Sequence, residues 1–97
     1  MRVIAKSTLR SFWEHHADAE VPLKTWYKIV EKADWSDSNE VKRDFASVSI
    51  LGNNRLVFNI KGNKYRIIVF TMFKYRKIFI RFVGTHAQYD KIDAATI

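Results

Sequence analysis

The chain has 97 residues, 47 % of them hydrophobic, with seven Phe, four Tyr and three Trp, and a formal net charge of +7. That length suits one domain spanning residues 1–97, and so apolar a composition excludes a disordered tail. The lack of cysteine excludes a disulfide framework, a thiolate metal site and a thiol nucleophile, and no apolar run reaches the ~18 residues of a membrane span.

With Met1 to Ala5 too short for a signal peptide, the sequence predicts a cytoplasmic protein that engages no membrane. The charge is unevenly placed. Residues 1–48 carry eight bases and eight acids, whereas residues 49–97 carry nine bases and two acids. No carboxylate falls between Asp44 and Asp90, while Arg55, Lys61, Lys64, Arg66, Lys74, Arg76, Lys77 and Arg81 all do. Charge serving solubility alone has no reason to collect in one half, so a polyanionic partner is expected.

In chain order, Arg2 to Ala5 fits a short strand. A first helix starting at Ser7 or Thr8 puts Leu9, Phe12, Trp13, His16 and Ala17 on one stripe. Asp18 is placed to cap a second helix, with Pro22 in its first turn and Leu23, Trp26, Tyr27, Val30 and Ala33 on its apolar face. Asp37-Ser38-Asn39-Glu40 has capping-box spacing and predicts a short third helix over residues 39–45. From Val48 onward β-branched and aromatic residues punctuated by Gly and Asn predict hairpins. Three strands are expected at 55–60, 64–73 and 78–85. Lys61-Gly62-Asn63 and a tight turn at Tyr75-Arg76 would join them, with Gly62 supplying a positive φ. Thr85-His86-Ala87-Gln88 fits a second capping box and opens a terminal helix carrying Tyr89, Ile92 and Ala95. The expected fold is α+β, with N-terminal helices packed on a small antiparallel sheet and a short C-terminal helix.

A turn at Tyr75-Arg76 pairs Arg66 with Thr85 and Phe70 with Arg81, and a loop at 61–63 pairs Ile60 with Lys64. Arg66 and His86 then meet at one end of the sheet, with Lys61, Asn63 and Lys64 beside them. Alternation puts Arg66 on a face with Ile68, Phe70 and Met72, and Arg81 with Phe79, Val83 and Thr85. Each arginine sits among apolar neighbours, which points to a ligand or a buried partner such as Asp44, Asp90 or a helix carboxylate. His86 in the first turn of a helix lies beside unsatisfied N–H groups that favour phosphate. Histidine is also the side chain able to give or take a proton at neutral pH.

Cleavage of RNA by its own 2′-OH needs a base, an acid and cations around the phosphorane, and no metal. The cluster supplies that list. A two-metal nuclease needs clustered carboxylates, and this half offers only Asp90 and Asp93. His15-His16 lacks further ligands at recognisable spacing and reads as surface or partial core, so neither a metal nor another cofactor is expected. Aromatics interleaved with bases, as in Lys64-Tyr65-Arg66 and Phe73-Lys74-Tyr75-Arg76-Lys77, match single-stranded RNA binders. Tyr89, with Tyr65 or Tyr75, is a candidate for stacking or proton relay. Arg55, Lys74, Arg76 and Lys77 are assigned to backbone contacts or solvent.

The segment from Asn54 to Arg66 (Asn-Arg-Leu-Val-Phe-Asn-Ile-Lys-Gly-Asn-Lys-Tyr-Arg), with Ile80 to Asp90 (Ile-Arg-Phe-Val-Gly-Thr-His-Ala-Gln-Tyr-Asp), resembles the HigB family of bacterial toxin–antitoxin toxins. The likeness extends weakly through the N-terminal helices. It implies a RelE-like α+β fold and a toxin that cleaves mRNA on the translating ribosome, held inactive by a HigA-type helix-turn-helix antitoxin. It implies that Arg66 and Arg81 hold phosphate and that His86 is the acid or base, with Lys61, Lys64 and Tyr89 as helpers. Gln88 departs from the Glu expected in similar sequences. It keeps the capping box but excludes a catalytic Glu there. Two other classes fit the same basic half: a non-catalytic RNA-binding module, and a RelE-superfamily poison of gyrase, which would have no use for a proton donor.

Overall fold

Two amphipathic helices form where the apolar spacing is 3.6. The computed structural model, which describes residues 1–97, has strand β1 at Arg2–Ile4, helix α1 at Lys6–His15, helix α2 at Glu20–Lys32 and helix α3 at Ser38–Asp44. Strands β2 (Ser49–Ile50), β3 (Arg55–Ile60), β4 (Tyr65–Met72) and β5 (Lys77–Thr85) follow, then helix α4 at His86–Tyr89. One-turn 3₁₀ segments occupy Ala17–Ala19 and Phe73–Tyr75. Leu9, Leu23, Trp26 and Val30 are buried from α1 and α2. They pack with Leu56, Phe58, Ile60, Tyr65, Ile67, Val69 and Ile78 in one core. The fold is α+β, with helices laid on one face of a mostly antiparallel sheet.

The sheet has five strands rather than three, in the order β1-β5-β4-β3-β2. β1 joins the edge parallel to β5, Val3 opposite Ile78, and β2 pairs with β3 through Ser49–Val57 and Ile50–Leu56. The strand expected near Arg2 is β1, whereas β2, at two residues, is too short to announce itself by alternation.

The two central hairpins keep their places but shift register. The first loop holds four residues, Lys61 to Lys64, so Ile60 pairs with Tyr65 and Asn59 with Arg66. Lys61 and Gly62 both adopt left-handed φ, 53° and 66°, and only glycine does so without strain. The second connection is also four residues, the 3₁₀ turn plus Arg76 at φ 55°, and it pairs Met72 with Lys77. Arg66 therefore faces Gly84 rather than Thr85, and Phe70 faces Phe79 rather than Arg81. A bulge opposite Ile68/Val69 inserts Arg81 between Ile80 and Phe82. An extra residue inverts the alternation beyond it. Ile78 and Ile80 reach the helices before the bulge, and Val83 does so after it. Val83 is thus not on the face of Arg81 or of Phe79.

Caps differ in ways that matter for the site. Asp18 does not cap α2, whose N-cap is Ala19 with no side-chain bond. α1 likewise starts at Lys6 without a side-chain cap. Asp37 caps α3 by accepting from Glu40 N at 3.0 Å, but Glu40 reaches back to Ser36 N instead of Asp37 N. α4 has the full capping box, Thr85 accepting from Gln88 N and Gln88 Oε1 from Thr85 N at 2.9 Å. It ends at Tyr89 instead of continuing to Ala95. One turn has too few aligned peptides for a helix dipole of consequence. The tail beyond it returns across the sheet face opposite the helices. Asn53 donates to the carbonyl of Ala95, and the Arg55 guanidinium to that of Ile97 at 2.7 Å. Val57 and Ile68, on this second face, are also buried.

Candidate RNA-cleaving corner

Strand β4 starts, and β5 ends, at one corner of the sheet. His86 follows directly from Thr85, whose partner is Tyr65, and the His86 amide donates to the carbonyl of Lys64 at 3.3 Å. The capping box fixes the direction of α4, which turns Tyr89 back over the second face. There the Arg66 guanidinium lies 4.4 Å from the centre of the Tyr89 ring. Its Nε is buried with no hydrogen-bond partner. Such a stack holds the planar guanidinium in one orientation with its terminal nitrogens free to fork onto an anion. His86 Nδ1 lies 3.1 Å from Asp90 Oδ2, one turn on, and its ring edge faces Tyr89 at 6.4 Å. A carboxylate on Nδ1 selects the tautomer with Nε2 open and limits ring rotation.

The adjoining lysines are occupied. Lys61 Nζ lies 3.0 Å from Asp18 Oδ2, and Lys64 Nζ bonds the same oxygen closely. The Tyr65 hydroxyl donates to the other oxygen of that carboxylate. Lys64, Tyr65 and Lys61, in that order of effect, hold Asp18 well below the usual carboxylate range. Conversely, the bond to Asp18 raises Lys64 and Tyr65 above their ordinary values. Tyr65 is buried, with Phe12 and His16 at its edges, so it braces the core and offers no stacking face. Arg66 is the cation here with no carboxylate within ion-pair distance. Asn63 is exposed in the loop between the two lysines.

The remaining sequence candidates lie elsewhere. Arg81, exposed at the bulge, stands 5.5 Å from the Phe70 ring, with Arg55 at 5.1 Å from the same ring. Phe70 is four residues along β4 from Arg66, about 13 Å. The structure does not bring Arg81 to His86. Lys74, Arg76 and Lys77 occupy the far end of the β4–β5 hairpin, roughly 25 Å from the corner. Arg76 is tied to Asp34 at 2.5 Å and to the Phe73 carbonyl, while Lys74 lies over the exposed Tyr75 ring at 5.7 Å. His15 bonds the Ser11 carbonyl and His16 stacks on Phe12.

Two pairings of this corner escaped the sequence, Asp90 with His86 and Asp18 with the two lysines. Asp90 carries a visible signal, the His86-x-x-x-Asp90 spacing that puts two side chains on one side of a turn. Asp18 carries none, since its partners lie more than 40 residues downstream.

Helices on one face of a small, mostly antiparallel sheet, with a short C-terminal helix at its end, place the chain among small α+β domains of RelE-like architecture. The chain belongs to the HigB toxin family, the RelE-like toxic component of a toxin–antitoxin system, whose family model matches residues 19–92. Among its relatives is the mRNA interferase HigB of Escherichia coli O6:H1, 23 % identical over 94 residues, covering 95 % of this chain and 91 % of that one. The mRNA interferase toxin HigB of Escherichia coli strain K12 and the mRNA interferase HigB of Shigella flexneri are each 26 % identical over 92 residues, covering 93 % of this chain and 88 % of theirs.

Proposed function

We propose that this toxin is an endoribonuclease that cleaves mRNA on the translating ribosome, in the cytoplasm, by a mechanism needing no metal. One observation carries the reading: Arg66 is fixed over Tyr89 without a carboxylate partner, beside a histidine whose Nδ1 is held by Asp90. The relatives named above as mRNA interferases support the substrate class.

In such a reaction the RNA 2′-oxygen bonds to the adjacent phosphorus and the bond from phosphorus to the 5′-oxygen breaks. The 2′-hydroxyl loses a proton and the departing 5′-oxygen gains one. His86, through its open Nε2, supplies one of these two transfers. Arg66 binds the scissile phosphate and neutralises the charge gained in the phosphorane. Tyr89 positions Arg66 from below and Asp90 positions His86. Lys64 and Lys61, each shared with Asp18, steer the strand. Asn63 offers amide contacts, and Arg81, Lys74 and Lys77 extend the basic face to neighbouring phosphates. A HigA-type antitoxin with a helix-turn-helix domain is the cognate partner.

The test is induction of the chain in cells with mapping of mRNA 5′ ends. The wild type should produce new ends within translated frames. His86→Ala should remove most of them, since a positioned acid or base contributes about 10²- to 10⁴-fold in rate. Undiminished cleavage by that variant removes His86 from the reaction. Arg66→Ala should lower both RNA affinity and rate, and normal behaviour of that variant would remove it from the site.

A further inference from the structure

A second feature lies on the outer side of the helix layer, away from the catalytic corner. Helices α1 and α2 leave between them a cleft of about 130 Å³, lined by Lys6, Leu9, Trp13, Lys24, Tyr27 and Lys28. Three of its six lining residues are lysine and two are large aromatic rings. Lys6 Nζ stands 4.6 Å from the centre of the Tyr27 ring, and Lys24 Nζ 5.3 Å from that of Trp13. Lys24 is also paired with Glu20, whereas Lys6 and Lys28 have no carboxylate within 4.0 Å. Burial, with the Glu31 carboxylate one turn on, pushes the Tyr27 phenol up, so its ring stays neutral. None of these groups serves the reaction assigned to the corner.

The chemistry of the cleft is that of a flat π-system carrying negative charge at its edges. An exposed ammonium over an aromatic face is a weak contact, and a nucleobase stacked on the same ring is a stronger one. A base can therefore displace Lys6 and Lys24 from the rings, and the released ammonium groups meet the phosphates on either side. An acidic peptide would satisfy the lysines but leave Trp13 and Tyr27 unused. The position fits as well. Trp13 is one turn before His16, whose ring touches Tyr65, the neighbour of Arg66. The Trp13 end of the cleft thus lies toward the end of the sheet where β4 starts.

We propose that the α1–α2 cleft is a second single-stranded RNA site, which takes one unpaired nucleotide against Trp13 and Tyr27 with its flanking phosphates at Lys6 and Lys28. This rests on the chain acting on RNA, and it adds a binding point remote from the bond that is cut.

The test uses the full chain carrying His86→Ala, so that the probe stays intact, and a labelled twelve-nucleotide oligouridine titrated at several salt concentrations. Lys6→Ala with Lys28→Ala should flatten the dependence of log affinity on log salt by about 1.4, from roughly 0.7 for each phosphate no longer neutralised. Trp13→Leu should weaken binding by about 5- to 150-fold. Because that change could disturb packing, the Trp13 indole N–H resonance of the otherwise unaltered chain should also shift on adding the oligonucleotide. Lys32→Ala with Lys42→Ala removes equal charge from exposed positions outside the cleft and should leave the salt slope unchanged. Equal slopes for the two double variants would overturn the inference. So would an indole resonance that ignores oligouridine and responds to an oligoglutamate peptide, which would make the cleft a protein-docking site. Binding that depends on Arg66 but not on the cleft overturns this inference alone. Binding that depends on neither overturns the functional assignment with it.

Discussion

Gly84 is the position where a single methyl group tests how the corner is built. It faces Arg66 across the β4–β5 ladder, and its φ lies outside the left-handed region, so alanine suits the backbone. Space is the obstacle. A Cβ there would lie 2.5 Å from Phe82 Cζ and 2.7 Å from Gln88 Oε1. Real Cβ atoms do not approach so closely, so both side chains must move. Displacing Gln88 removes its bond to Thr85 N and half of the box that sets α4, worth roughly 1 kcal/mol for a cap. Driving the half-buried Phe82 ring aside adds about 1 to 3 kcal/mol of overpacking. Loss of glycine's freedom in the unfolded chain offsets about 0.5 kcal/mol. The net is roughly 1.5 to 3.5 kcal/mol, which for a chain of 97 residues lowers the melting temperature by about 6 to 28 °C. Thermal unfolding of Gly84→Ala beside Gln88→Ala measures it. Gln88→Ala should lose only the cap, about 4 to 8 °C. Cleavage by Gly84→Ala should fall below that of Gln88→Ala when both are assayed well under their melting points, because α4 carries His86 and Tyr89. A Gly84→Ala protein that melts with the wild type and cuts at the wild-type rate would refute the close-packed corner.

Two further outcomes follow from the ion pairs. Asp18 is held low, so its stabilisation is full above the ordinary carboxylate value near 3.9 and is lost as pH falls through the lower folded value. Lys64 and Tyr65 are held high, so theirs is full below about pH 10 and is lost as pH rises through their raised values. The difference in melting temperature between wild type and Asp18→Asn should therefore be flat from about pH 5 to pH 9 and close toward both extremes. A gap that slopes steadily across that plateau would contradict the assignment. Asp90→Asn should leave RNA affinity unchanged and slow cleavage about two- to fivefold, as expected for an exposed partner contributing roughly 0.5 to 1 kcal/mol. A hundredfold loss would mean that Asp90 meets the RNA itself, and no loss would mean that it does not orient His86.

Local chemistry was legible in the sequence and distant pairing was not. The limits of β3 and the capping box of Thr85 and Gln88 follow from patterns within about a dozen residues. The register did not, because Lys61 and Arg76 adopt left-handed φ that neither residue type advertises, and each lengthens a turn. The bulge at Arg81 is likewise silent, since an inserted residue in an apolar strand looks like any other. Charge counted along the chain also misled. The window from Asp44 to Asp90 has no acid, yet Asp18 and Asp34 from the N-terminal half reach over to Lys61, Lys64 and Arg76. Pairing of that kind decides which cations remain free, and at the corner it leaves Arg66.

The chemistry assigned to that corner has a direct signature in its products. Attack by the RNA's own 2′-hydroxyl leaves a 2′,3′-cyclic phosphate on one fragment and a 5′-hydroxyl on the next, whereas water activated by a metal ion commonly leaves a 5′-phosphate. The decisive measurement is the end group of mRNA fragments from cells expressing the wild-type chain, read by whether polynucleotide kinase labels their 5′ ends without prior phosphatase treatment. Immediate labelling is expected, lost with the fragments themselves in His86→Ala. Fragments that accept label only after phosphatase would contradict it.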